Sequence, residues 1–121
     1  VQRDVADPAL YVGTWLREYD DGPVHVRRVL ALDAGGKFHE ASRITEAGAP
    51  QIEHTGEGEW LFDGTNLKRR YTRVDGHGPS APVVPFATFE LRFPSRNEFI
   101  GLDRVRHVEI SYRRVEDGAE P

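Results

Sequence analysis

The chain has neither cysteine nor methionine among its 121 residues. The lack of cysteine excludes disulfide bonds, thiolate metal sites and cysteine nucleophiles together, and it leaves the redox compartment open. Because the sequence begins at Val1 and contains no methionine, one hypothesis is that it is a mature product whose export signal has been removed. A periplasmic or secreted location would follow from that hypothesis.

Long apolar runs and an excess of basic charge are also missing. No apolar stretch approaches the roughly 20 residues that a membrane-spanning helix needs, so we expect no membrane span. The formal net charge is −4, which argues against a broad nucleic-acid-binding face.

Motifs of catalysis and of metal binding are not found either. The five histidines do not have the spacing of metal ligands, so we expect neither a metal site nor a cofactor. The chain also contains no Gly-x-Ser-x-Gly, no phosphate-binding loop and no His-Glu-x-x-His. The sequence therefore assigns no catalytic residue.

What the chain does contain is enough apolar material for one folded core. Hydrophobic residues make up 38% and aromatic residues 10% of the sequence, which is not a disordered composition. A length of 121 residues fits a single domain that needs no disulfide bond to fold. We expect residues 1–8 and 116–121, which are polar or contain proline, to be flexible ends.

Helical periodicity is almost absent, and the chain instead alternates between β-strand patterns and turn residues. Asp63-Gly64, between two such strands, is the strongest short hairpin signal in the sequence. Short turns predict an antiparallel up-and-down meander, and closing it into a barrel removes both exposed edges. The sequence thus predicts an all-β barrel of eight strands, at residues 10–19, 24–33, 37–46, 51–62, 67–74, 86–93, 99–103 and 107–115.

One connection is longer than the others. Residues 76–85 contain two glycines and three prolines, which is typical of a loop. Long loops in compact domains are often functional. We expect this segment to be either a lid or rim at one end of the barrel or a solvent-exposed connector.

Strand alternation assigns side chains to the inner and outer faces of the barrel. A turn over residues 34–36 pairs Leu32 with Phe38, so that apolar side chains of the two strands face each other. The same register places polar side chains on the inner face, at Arg28, Glu40 and Ser42.

The Asp63-Gly64 turn sets the faces of the next two strands in the same way. Alternation on the last strand places Tyr112 and Arg114 inside the barrel. On the two strands that flank the Asp63-Gly64 turn, Trp60 shares the inner face with four polar residues, His54, Arg69, Tyr71 and Arg73.

The predicted interior therefore combines an apolar body with charged groups. An unpaired buried charge costs several kcal/mol or more. Three arrangements would compensate these charges: a pair between Arg28 and Glu40, arginines that reach water at strand ends, or an anionic ligand. Gly56 and Gly58 on the same wall indicate either a cavity or a bend at a barrel corner. The residues that we assign to ligand binding are Arg28, Glu40, His54, Arg69, Tyr71, Arg73 and Tyr112.

Two short motifs carry a resemblance to a known family. Gly13-Thr14-Trp15 in the first strand and Tyr112-Arg113-Arg114 in the last resemble the lipocalins and their calycin relatives. The short loops are most similar to those of minimal bacterial lipocalin-like domains. The resemblance implies a lipocalin-like barrel in which Trp15 plugs the closed end. It also implies that Arg114 packs across the tryptophan ring, with Arg113 as the second candidate.

The resemblance also bears on the ligand. Fatty-acid-binding relatives hold a carboxylate with an Arg-x-Tyr pair inside the barrel, and this chain has Arg69-Arg70-Tyr71 on a middle strand. Guanidinium and phenol groups can both donate to one carboxylate. The function that we expect is binding or carriage of a small hydrophobic or acidic amphipathic molecule inside the barrel.

Two other functions stay open from the sequence. One is a protein-interaction module, such as an exported enzyme inhibitor, that acts on a protein partner through its outer surface around a filled barrel. The other is a barrel isomerase or cyclase, for which Glu40 and His54 are the acid–base candidates.

Overall fold

The structure, a computed structural model, describes residues 8–76, 86–103 and 107–121. Residues 1–7 of the expected flexible end and residues 77–85 of the expected long loop lie outside these ranges. Within the described ranges the regular structure consists of β-strands and one short 3-10 turn at Pro8–Leu10.

The strands form one closed antiparallel barrel. Each strand pairs with the next along the chain, and β1 pairs with β8 to close the sheet. The predicted all-β meander of eight strands is therefore confirmed. The strands are β1 (Gly13–Asp21), β2 (Val24–Leu32), β3 (Lys37–Glu46), β4 (Ile52–Phe62), β5 (Asn66–Val74), β6 (Phe86–Ser95), β7 (Glu98–Asp103) and β8 (Val108–Val115).

The two hairpins with clear turn signals have the register that the sequence predicts. Across the β2–β3 hairpin, Leu32 lies opposite Phe38. Across the β4–β5 hairpin, Trp60 lies opposite Arg69. Because side chains alternate between the two faces of a strand, the members of each pair point into the barrel together.

The first strand begins later than the sequence predicts. Residue 10 belongs to the 3-10 turn, and β1 starts only at Gly13. Gly13 has a φ of 139°, a conformation that favours glycine and interrupts the extended chain. Trp15 Nε1 donates to the carbonyl of Tyr11 at 2.9 Å, so the segment before β1 folds against the closed end of the barrel.

A β-bulge moves Arg73 to the outer face. Gly58 lies opposite Tyr71, but the neighbouring Glu57 lies opposite Arg73, so β5 carries one extra residue between these pairs. The Arg73 side chain is 63% exposed, with its Nε 3.8 Å from Glu57 Oε1. The prediction that Arg73 lies inside is therefore wrong, because alternation from one residue to the next holds only while the register is regular.

The apolar core fills the end of the barrel where β1 begins. Trp15 is completely buried, and its ring lies edge-on to Phe99 with the centroids 4.7 Å apart. Phe99 also stacks on Tyr112. The polar residues farther along the strands therefore lie next to closely packed aromatic rings. The other buried apolar residues of this core are Tyr11, Leu30, Leu32, Phe38, Trp60, Leu67, Phe89 and Ile110.

Candidate functional site

A buried ion pair joins β3 and β5 across the inside of the barrel. Arg69 Nη1 donates to Glu40 Oε2 at 2.8 Å, and the Tyr71 hydroxyl donates to Glu40 Oε1 at 2.9 Å. The Arg69 side chain is 2% exposed and that of Glu40 11%. Burial raises the pKa of Tyr71, so its hydroxyl stays a neutral donor. The sequence assigns all three residues to the ligand site, and in the structure they bind one another.

Two glycines of the intervening strand β4 let these side chains meet. A Cβ atom at Gly56 would lie 2.8 Å from the Tyr71 ring, so a larger residue would displace the tyrosine. A Cβ atom at Gly58 would collide with the backbone of Arg70 beside the bulge. The glycines therefore mark a close approach and a bend in the wall, and the space beside Gly56 is filled by Tyr71 rather than left as a cavity.

Two further arginines face the interior, one inward position farther from Trp15 than Glu40 does. Arg17 on β1 lies directly opposite Arg28 on β2, and alternation from the buried Trp15 points both inward. Arg28 Nε donates to Ser42 Oγ at 3.0 Å. The Cζ atom of Arg17 lies 4.2 Å from the centroid of the Tyr19 ring. Sequence reasoning missed Arg17, although the same alternation, counted from Trp15, places it inside.

The structure does not pair Arg28 with Glu40, which is one of the three arrangements that the sequence leaves open. Arg28 binds Ser42, whereas Glu40 binds Arg69 and Tyr71. Glu40 lies opposite Leu30 in the register, one inward position away from Arg28. The curvature of the barrel brings Arg69 to Glu40 across β4, and this contact takes the place of a diagonal pair with Arg28, one of the three arrangements that the sequence leaves open.

Two buried polar atoms of this region, Arg69 Nε and the Tyr112 hydroxyl, have no hydrogen-bond partner within the described residues. Burial raises the pKa of Tyr112, which is 1% exposed, so its hydroxyl keeps its proton and remains a donor at neutral pH. Burial alone lowers the pKa of Arg69, but neighbouring acidic groups, Tyr71 first among them, raise it above its ordinary value. A buried donor without a partner costs about 1–3 kcal/mol, and a ligand oxygen would remove that cost.

The charges around Tyr112 do not balance. In the described part of the chain, the charged groups with the largest effect on the pKa of its hydroxyl are Arg69, Glu40, Arg28 and Arg17. Glu40 neutralises Arg69 in their direct contact. Arg17 and Arg28 have no carboxylate partner among the described residues. The two remaining positive charges, in partly desolvated surroundings, favour an anion.

His54 stands apart from this cluster. It lies opposite Ser42 in the register, yet its side chain is 53% exposed and its Nδ1 lies 3.0 Å from Asp75 Oδ2. Glu40 and His54, the acid–base candidates for a barrel enzyme, thus have separate partners. Of the residues assigned to ligand binding, the structure places His54 and Arg73 elsewhere and gathers Arg28, Glu40, Arg69, Tyr71 and Tyr112.

The closed end of the barrel is built around Trp15 and Arg114. Arg114 Cζ lies 4.2 Å from the centroid of the Trp15 ring, a cation–π geometry worth about 0.5–2 kcal/mol. The same guanidinium donates to the carbonyls of Leu10 and Val12, each at 2.9 Å. A Cβ atom at Gly13 would run into it. Glycine therefore leaves room for the arginine, and the tryptophan offers the ring on which it stacks.

The outer face of the barrel carries a depression of about 570 Å³ beside the C-terminal residues. Thr14 Oγ1 donates to Asp117 Oδ1 at 2.9 Å, so residues 116–121, which the sequence predicts to be flexible, are attached to β1 here. The depression combines apolar and polar lining residues, which include Val29, Ala31, His39, Ala41, Arg43, Thr55 and residues 118–121.

Metal-binding and membrane-spanning features are not found in the described residues. No three histidine, aspartate or glutamate side chains come together there as metal ligands would. No helix in those ranges is long and apolar enough to cross a membrane.

Comparison with known proteins does not place the chain in a family. No protein-family model matches it, and no curated protein matches it either. The architecture, a closed antiparallel barrel of eight strands, is consistent with the lipocalin-like resemblance of the two terminal motifs.

Proposed function

We propose that the protein binds a small amphipathic anion inside its barrel, with the acidic head group against the inner arginines. The observation that carries the proposal is a facing pair of inner arginines. Arg17 and Arg28 face each other on neighbouring strands, and neither has a carboxylate partner among the described residues. Because like charges at facing positions destabilise a sheet, an anion between them would stabilise both.

The neighbouring inward positions suit the apolar part of such a molecule. Beyond Arg28, in the direction away from Trp15, Val26 lies opposite Tyr19 on one side and Ile44 on the other. The other end of the barrel is packed with aromatic rings. An apolar tail would therefore extend away from Trp15, where its burial would contribute roughly 25 cal/mol per Å².

Two ligands with the same chain and different head groups test this proposal. Dodecanoate and dodecanol are titrated into the protein, with native mass spectrometry for stoichiometry and calorimetry for affinity. We expect saturable one-to-one binding of dodecanoate. The affinity for dodecanol should be lower by at least about tenfold, because a hydrogen bond to a charged group contributes about 1.5–3 kcal/mol. If neither molecule binds saturably, the proposal is wrong.

A matched pair of arginine variants tests whether the ligand lies inside the barrel. Arg28→Gln should weaken dodecanoate binding by about tenfold, since it removes one inner charge. Arg92→Gln is the control, because the Arg92 side chain is 63% exposed on the outer face, 3.2 Å from Glu109. Circular dichroism and tryptophan fluorescence check that both variants are folded. Equal affinities of Arg28→Gln and the parent protein would remove Arg28 from the site.

The outer depression supports a second candidate, a binding function of the barrel surface. Its mixed lining around Val29, Ala41 and Arg43 offers both apolar area and charge. Amide chemical shifts recorded during the dodecanoate titration distinguish the two sites. Changes centred on Arg28 and Tyr112, neither of which lines the depression, support the interior site, whereas changes confined to Ala41, Thr55 and residues 118–121 support the outer one.

A further inference from the structure

The inner arginines belong to a row of hydrogen-bond donors that crosses four neighbouring strands. Arg17, Arg28 and Ser42 occupy facing register positions on β1, β2 and β3. Tyr112 on β8 continues the row, one residue beyond the paired segment of β1 and β8. Facing side chains have Cβ atoms about 4.5–5.5 Å apart, so these four groups converge on one region of the interior. We call this row the donor belt.

The charge of the donor belt is distinct from that of the neighbouring ion pair. Arg69 is balanced by Glu40 at 2.8 Å, which leaves Arg17 and Arg28 as the two charges that a head group on the belt would meet. His54 on β4 faces Ser42 directly, at the end of the row. Nearer the rim, alternation places four more titratable residues on the same face: Tyr19 and Asp21 on β1, Glu46 on β3 and Asp103 on β7.

Both hydroxyl groups of the donor belt have a proton to give. Ser42 Oγ accepts from Arg28 Nε, so its own proton is available to another acceptor. The Tyr112 hydroxyl is buried without a partner among the described residues. The belt thus presents two guanidinium groups and two neutral O–H donors on one face of neighbouring strands.

We propose that the donor belt selects a doubly charged head group of the phosphate-monoester class over a carboxylate. This inference rests on the proposed function and adds a head-group class to it. Two guanidinium charges match a dianion, whereas a single carboxylate leaves one of them uncompensated. A phosphate monoester also presents three acceptor oxygens instead of two, and planar guanidinium groups bind phosphate oxygens in a bidentate manner.

Four ligands with one octyl chain separate charge from shape: octyl phosphate, octyl sulfate, octanoate and octanol. Octyl sulfate has the tetrahedral shape of the phosphate but carries a single charge. Calorimetry is carried out at about pH 8 and about pH 5, on either side of the second phosphate pKa near 6. Because octyl sulfate keeps the same charge at both values, its affinities report any change in the charge of the protein between them.

We expect octyl phosphate to bind at least about tenfold more tightly than octyl sulfate and octanoate at the higher pH. At the lower pH, where the phosphate carries one charge, its affinity should fall to that of octyl sulfate. Equal binding of the three anions at the higher pH, where all three are fully ionised, would overturn the selectivity and leave the proposed function standing. Absence of binding by all three would overturn both.

Arg17→Gln tests whether the donor belt is responsible, because it removes one of the two charges without touching Glu40 or Arg69. The preference for octyl phosphate over octyl sulfate should shrink to less than about threefold in this variant, while Arg92→Gln should retain it. Arg28→Gln repeats the comparison from the facing strand if Arg17→Gln does not fold. If a folded variant, Arg17→Gln or Arg28→Gln, keeps the full preference for octyl phosphate over octyl sulfate, the donor belt is not the source of the selectivity.

Discussion

Gly13, the first residue of β1, combines an unusual backbone with a close neighbour. Its φ of 139° suits glycine, and the space that a Cβ atom would occupy holds the Arg114 guanidinium. From there Arg114 reaches the carbonyls of Leu10 and Val12 and lies over Trp15. At the scale of single residues, the Gly-x-Trp motif is therefore one half of a packing unit whose other half comes from the last strand.

Gly13→Ala should destabilise the protein more than Gly48→Ala does, as measured by urea unfolding. Both glycines have positive φ, 139° and 81°, so both changes introduce backbone strain of about 1–3 kcal/mol. A Cβ atom at Gly48 meets nothing within 4 Å, whereas one at Gly13 meets Arg114. We expect the difference to be about 1 kcal/mol, the value of the disturbed cation–π contact. Equal losses would mean that Arg114 moves aside without cost.

The β4–β5 hairpin shows what one turn contributes at the scale of an element. Asp63 Oδ1 accepts from the backbone N–H groups of Asn66 at 2.7 Å and Thr65 at 2.9 Å. These two hydrogen bonds, with Lys68 nearby, lower the pKa of Asp63 to about 2. Such side-chain turns explain why aspartate is favoured here. The turn sets the register that directs Arg69 inward.

Asp63→Asn should lower the melting temperature at neutral pH, and the difference from the parent should close as the pH falls. The pKa of Asp63 is depressed from 3.8 to about 2 by folding. Its carboxylate therefore stabilises the fold fully above its unfolded pKa and loses this effect as the pH falls toward 2. NMR titration of the carboxyl group measures the pKa directly. A pKa near the ordinary value, or a melting difference that does not change with pH, would contradict the expectation.

At the scale of the whole molecule, closure of the barrel brings together residues that are distant along the chain. Glu40 and Arg69 lie on strands separated by β4, and they meet because the sheet curves and β4 has glycines at the crossing. Arg17 and Tyr112 come to neighbouring strands, one residue beyond the last paired positions, because β1 pairs with β8. The candidate site therefore depends on closure and does not exist in any single hairpin.

The ion pair between Glu40 and Arg69 should show strong coupling in a double-mutant cycle. Glu40→Leu and Arg69→Leu should each lower the free energy of unfolding by about 3–5 kcal/mol, because each leaves a buried charge unpaired. The double variant should lose much less than the sum. The exposed pair of Arg92 and Glu109 is the control, with expected coupling below about 1 kcal/mol. Additive losses at Glu40 and Arg69 in urea unfolding would show that the pair is not coupled.

The candidate site could be predicted in part from the sequence. Two arginines were not placed correctly: Arg17 was missed, and Arg73 was assigned to the wrong face. Arg17 shares the face of Trp15 by simple alternation, so the signal that places it inside was present in the sequence. Arg73 obeys the same alternation in the sequence, but the bulge opposite Glu57 sends it outward. Gly56 and Gly58 on the facing strand indicate a bend or a cavity there. They do not specify which residue of β5 is the extra one, because a bulge depends on how two strands curve against each other.

The sequence by itself determined the eight strands and their order. It also determined the register of the β2–β3 hairpin and of the β4–β5 hairpin up to its bulge, because alternation and turn chemistry act between residues that are close along the chain. It also directed Arg28, Glu40, Arg69, Tyr71 and Tyr112 to the inner face. Only the tertiary structure decided that Glu40 binds Arg69 and not Arg28. That choice depends on the distance across a closed and curved sheet, which strand periodicity does not contain.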